Sequence, residues 1–125
     1  MKNALNWFEI PAMDFDRAKK FYEHIFDYQM PVIVNEESFK MGLLPSDANG
    51  VGGAVVWHPA FYIPTSTNGL LVYLNANPDA AAVLERVEPA GGKIVIAKRQ
   101  ISLQFGYMAV FTDSEGNRLA LHSND

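Results

Sequence analysis

One pattern constrains this chain more than any other: a strand, a helix and three further strands occur in that order twice. Residues 5–13 alternate, with Leu5, Trp7 and Glu9 on one face and Asn6, Phe8 and Ile10 on the other. Pro11 near the end of this stretch suits an edge strand, because proline brings no N–H to a ladder. Asp14 is the natural N-cap for FDRAKKFYEHIF. In that segment Phe15, Ala18, Phe21, Tyr22, Ile25 and Phe26 fall at helical spacing, while Asp16, Arg17, Lys19, Lys20 and Glu23 face away. Apolar runs at 30–34, 39–44 and 51–57, separated by NEES and the turn-rich PSDANG, predict a small meander. In the second half a strand at 70–75 leads to Asn77-Pro78-Asp79, read as an N-cap at Asn77, a proline in the first helical position and an early acid. The helix is expected to run through AAAVLERVEPAGG and end at Gly91-Gly92. Strands at 93–97, 107–112 and 118–122 complete the repeat, the last two joined by the DSEGN turn.

Each half alone offers few core residues, so the two are expected to fold together as one α+β domain. Module one spans about 1–62 and module two about 69–125, with HPAFYIPTSTNG (58–69) as connector. The expectation is paired βαβββ modules forming a cupped mixed sheet, with the helices on the outside. A chain of 125 residues has room for one such core, and no apolar run approaches the roughly 18–20 residues of a membrane span. The start, MKNALNWFEIPAMDFDR, lacks an unbroken apolar signal segment, so a cytoplasmic protein is expected. Zero cysteines exclude disulfides, thiolate metal sites and a Cys nucleophile, leaving three histidines and 14 acids as the strong metal ligands. The net charge is −4, and no basic cluster exceeds Lys19-Lys20 and Lys98-Arg99, which argues against nucleic acid as a partner.

IPAMDFDRAKKFYEHIF and GYMAVFTDSEGNRLALHS resemble the vicinal-oxygen-chelate superfamily, which includes glyoxalase I, bleomycin-resistance proteins and extradiol dioxygenases. The resemblance spans nearly the whole chain and implies the fold more than a reaction, since one scaffold hosts lyases, isomerases, epimerases, dioxygenases and plain binders. Family enzymes that use a metal take one ligand from each of four strands. The matching positions here are Trp7, Leu70, Ala120 and a place within GGAVV, none of which offers a donor side chain. No metal and no cofactor are therefore expected, and the ending of the chain keeps only the outline of a metal enzyme's last strand.

His122 lies two residues past Ala120, and Glu9 two past Trp7, so each shares a strand face with a lost ligand position. They are the candidate catalytic pair, as base and acid or as parts of a displaced metal site with His58. The plain alternative makes Glu9 a solvated or ion-paired group and His122 a surface residue. Trp7, Trp57, Phe61, Tyr62, Leu70, Phe105, Tyr107 and Ala120 are the candidate ligand-binding set, some of them walls of an apolar pocket and others ordinary core. His24 belongs to the charged face of the first helix. PAGGK ends a helix where a phosphate cradle would begin one, and no GxSxG arrangement is present. The leading reading is a glyoxalase-like protein binding a small, largely apolar or aromatic molecule. The alternatives are a lyase or isomerase using Glu9, His122 and His58, or a non-catalytic partner-binding subunit. A homodimer is expected.

Overall fold

The computed structural model describes residues 3–125. In chain order the elements are β1 (Trp7–Pro11), α1 (Phe15–Phe26), β2 (Val32–Asn35), β3 (Lys40–Leu43), β4 (Gly52–Trp57), β5 (Tyr73–Asn75), α2 (Ala80–Leu84), β6 (Lys93–Ser102), β7 (Gly106–Thr112) and β8 (Arg118–Ser123). The expected repeat is present. Its strands form two four-stranded sheets, in the orders β1-β4-β3-β2 and β5-β8-β7-β6, neither of them closed. Both are mixed, with a parallel pair (β1·β4 and β5·β8) followed by antiparallel neighbours. The chain divides into two units, one ending at Pro64 and the other beginning at Thr65.

In the first unit Asp14 caps α1 as expected, its Oδ1 accepting the Arg17 N–H at 3.1 Å from an extended backbone. The helix buries Phe15, Ala18, Phe21, Tyr22 and Ile25 and packs on β3 and β4, while His24 stays exposed on its polar side. Asp27 ends it in the left-handed region at φ 50°. The loop that follows is held by the Glu23 carboxylate, which accepts from Lys19 Nζ and from the Met30 N–H, each at 2.9 Å. Pro11 lies in β1, at the end of its sheet's strand order, and Ala12 supplies the N–H that bonds Val56 of β4, so the missing proline N–H breaks no ladder.

In the second unit the helix starts later and ends sooner than its sequence suggests. Asn77-Pro78 is a cis peptide ahead of the helix, and Asp79 is the actual cap, accepting the Ala81 N–H at 2.9 Å. The buried Ser123 Oγ accepts the Ala80 N–H at 2.9 Å. After Leu84 the chain tightens into i→i+3 turns, Arg86 to Val83 and Val87 to Leu84, and Pro89 withdraws the N–H that a continuing helix would need. The opening strand is also shorter, Tyr73–Asn75 in place of 70–75, and Leu70 lies outside it, 92% exposed. β6 extends five residues beyond the expected 93–97, along its pairing with β7.

Candidate functional site

Register assigns the faces of each sheet. A side chain at Gly42 would strike Met30 and Phe15, so the Gly42 face looks toward α1. Gly42 pairs with Val55, and Val55 with Ile10, which places Phe8 and Ile10 on that helical face. Trp7 and Glu9 project from the opposite, helix-free face. There the Trp7 indole lies over Gly52, where an added Cβ would stand 3.2 Å from Cζ3, while the Phe8 ring covers Gly53 on the helical side. The GG of GGAVV thus makes room for two aromatic rings, one on each face.

Glu9 is the centre of the helix-free cluster. Its Oε2 accepts the Trp7 indole N–H at 3.2 Å, and its Oε1 accepts the Tyr62 hydroxyl at 2.5 Å. That hydrogen bond, with burial and the nearby charge adding to it, raises the Tyr62 phenol above its ordinary 10.0, so Tyr62 stays a neutral donor. Tyr62 belongs to the connector, as do His58 and Phe61, whose ring centroids are 4.9 Å apart; His58 stands 6.5 Å from Tyr62 and 6.2 Å from Phe39. His58 Nδ1 accepts the Ala60 N–H at 3.0 Å, so its lone pair is spent on a turn and the proton of the neutral ring sits on Nε2. Trp7 is 43% exposed and Phe61 80%, leaving large aromatic surface beside a carboxylate. The candidates Trp7, Glu9, His58, Phe61 and Tyr62 are therefore brought together. The hydrogen bond between Tyr62 and Glu9 had no signal in the sequence, because 53 residues separate them.

Trp57 does not join this cluster. It pairs with Lys40 on the helical face, where Lys40 Nζ sits 5.9 Å from its ring centroid. A cavity of about 270 Å³ lies there, lined by Met13, Asp14, Phe15, Asp16, Lys40 and Trp57. Trp7 and Trp57 thus occupy opposite faces of one sheet.

In the second unit the bond from Ala80 to Ser123 marks the helical face, so Leu119, Leu121 and Ser123 point toward α2, and Ala120 and His122 point away. Ala120 is fully buried with Met108 and Val110, against Leu71. His122 Nε2 donates to the Phe105 carbonyl at 2.6 Å, which leaves Nδ1 as the acceptor of the neutral ring. Tyr107 pairs with Ser123 and therefore lies on the helical face, with Lys98 Nζ 4.6 Å from its centroid. Lys98 also bonds Asp79 at 2.6 Å and, with the Ala81 N–H, holds that carboxyl below its ordinary value. Phe105 and Leu70 are exposed. Glu9 belongs to the first unit and His122 to the second.

The residues present do not fit a divalent ion. Trp7, the glycines of β4, Leu70 and Ala120 have no donor side chain, and among the described residues no three His, Asp or Glu groups gather closely enough to share a metal.

The family model described as Glyoxalase/Bleomycin resistance protein/Dioxygenase superfamily matches residues 4–121. No curated protein sequence matches the chain. Among solved structures, a glyoxylase/bleomycin resistance protein/dioxygenase domain from Frankia sp. is similar at 18% identity and TM-score 0.68, over 100% of this chain and 94% of its own. Glyoxalase I from Zea mays gives 18% identity and TM-score 0.67, over 95% of this chain and 45% of the maize protein. A mutant fosfomycin resistance protein from Listeria monocytogenes, complexed with Mn(II) and a dihydroxypropylphosphonic acid, gives 17% identity and TM-score 0.63, over 100% of this chain and 93% of its own.

Proposed function

The chain belongs to the glyoxalase/bleomycin resistance protein/dioxygenase superfamily, and on that premise we propose that it binds a small, largely apolar or aromatic molecule against Trp7, without a divalent metal. The observation that carries this reading is the Trp7 indole, 43% exposed, seated on Gly52 and tied to Glu9. A ring held in one orientation with its surface open is prepared to stack on a flat ligand at little cost in side-chain ordering. Substituting Trp57→Phe leaves Trp7 as the only fluorophore of its kind, since the chain has two tryptophans. Small aromatic ligands should then quench the emission saturably. Trp7→Ala should weaken binding while lowering stability by less than the roughly 3–5 kcal/mol of a buried Trp truncation. A full-sized stability loss with no effect on binding would make Trp7 a core residue and end this reading. Purified protein should carry well below one equivalent of transition metal by plasma mass spectrometry.

A second reading, a lyase or isomerase with His122 as its base, is favoured by one observation: the Phe105 carbonyl fixes the His122 tautomer and leaves Nδ1 able to take a proton. Such an enzyme would return its ligand chemically changed or deuterated from heavy water, and His122→Gln would stop this. A binder returns it unaltered. Self-association into a homodimer completes the proposal, supported by apolar side chains as exposed as Leu70 and Leu103, 92% and 97%.

A further inference from the structure

Among the described residues, the Glu9 carboxylate is met only by neutral donors. Trp7 and Tyr62 each take one lone-pair position, and Glu9 forms no ion pair among the described residues. A carboxylate has about four such positions, so two remain for a further donor. Around it stand the rings of Trp7 and Tyr62, with His58 and Phe61 beyond, and aromatic faces carry partial negative charge. The chain also carries a net charge of −4. A half-buried acid with no counter-ion among the described residues, beside exposed π faces, is a poor environment for an anion and a favourable one for a cation.

We propose that the ligand of this site is a flat organic cation, an aromatic amine or amidinium, whose N–H groups donate to Glu9 while its ring stacks on Trp7. The proposal rests on the binding reading above and adds the charge of the ligand to it. The contributions are separable in kind: a neutral ring can stack on Trp7 as a cationic one does, whereas the hydrogen bond to the Glu9 carboxylate is strongest when the donor is also charged. Tyr62 acts as a positioning residue, holding Glu9 in its orientation without itself touching the ring of the ligand.

Benzamidine, benzamide and benzoate share one shape and differ in charge, so they make a matched set of probes. Titrated against Trp7 emission in the Trp57→Phe protein, benzamidinium should bind at least about tenfold more tightly than benzamide, a gap of about 1.4 kcal/mol. Benzoate should bind most weakly. Glu9→Gln should bring benzamidinium down close to the level of benzamide, closing most of the gap between the two, and Tyr62→Phe should reduce the gap in part. Salt supplies a test that needs no variant: benzamidinium affinity should fall with sodium chloride while benzamide affinity holds. Equal binding of benzamidinium and benzamide, both dependent on Trp7, would overturn the cation proposal and spare the aromatic-binding reading. No response of Trp7 to any of the three would overturn both.

Discussion

Two side chains outside the site show how much single polar groups decide here. Glu23 closes the C-terminal end of α1, and its carboxyl lies below the ordinary 4.5, first through the hydrogen bond from the Met30 N–H and then through Lys19. Because the folded-state value is depressed, its stabilising contribution is complete above the unfolded value and is lost as pH falls through the folded one. The urea midpoint of wild type should therefore exceed that of Glu23→Gln near neutrality, and the two should converge as pH drops below about 4. A gap independent of pH would show that the carboxylate charge plays no part. Ser123 is fully buried, accepting the Ala80 N–H and donating to the Asp125 carbonyl. Ser123→Ala strands a helix N–H in the core and should cost about 1–3 kcal/mol in denaturant unfolding. Neither role was legible in sequence. Glu23 had only its place on a polar helix face, and Ser123 is 43 residues from the group it caps.

At the scale of elements, the paired glycines of β4 make a prediction with opposite outcomes at adjacent positions. Gly52 seats Trp7 on the helix-free face, and Gly53 receives Phe8 on the helical face. Gly52→Val should push the indole off its seat and weaken aromatic ligand binding by about tenfold, with little loss of stability. Gly53→Ala, where a Cβ would lie 2.5 Å from the Phe8 ring, should lower stability by about 1–3 kcal/mol and spare binding. Equal effects on binding would mean that the two faces are not functionally distinct. The sequence exposed the lack of a donor in GGAVV but hid the positive role of its glycines, because cross-strand register is not written in either strand alone. For the same reason Trp57 and Tyr107 could be grouped with Trp7: aromaticity is visible in sequence, and the face of a sheet emerges only from pairing. α2 departs from its sequence signal at both ends. Asn77-Pro78-Asp79 matches a cap with proline at the first turn, yet Asp79 is the residue that bonds the helix, and the i→i+3 turns after Leu84 keep helical spacing without an α-helix.

For the whole molecule, the βαβββ repeat was the most legible feature, since alternation, the Asp14 cap and the turn segments all specify local structure that register merely assembles. The family's fold follows from that repeat, whereas a metal does not follow from the fold: Trp7 and Ala120 bring no donor side chain, and among the described residues no three His, Asp or Glu groups gather. Association is the property of the entire chain most open to test. Each open sheet ends in edge strands, and Ile33, Val95, Leu70 and Leu103 leave apolar surface exposed. Light scattering at micromolar concentration should give twice the 13.9 kDa chain mass, and a monomer mass would count against the homodimer. A role for Trp7 as the wall of a ligand site can be read from the two indole N–H signals of the ¹⁵N-labelled wild-type protein. Adding a small aromatic cation should move the Trp7 signal, whose proton is bonded to Glu9, and leave that of Trp57 in place. An unmoved Trp7 signal, or a shift at Trp57 alone, would contradict the account.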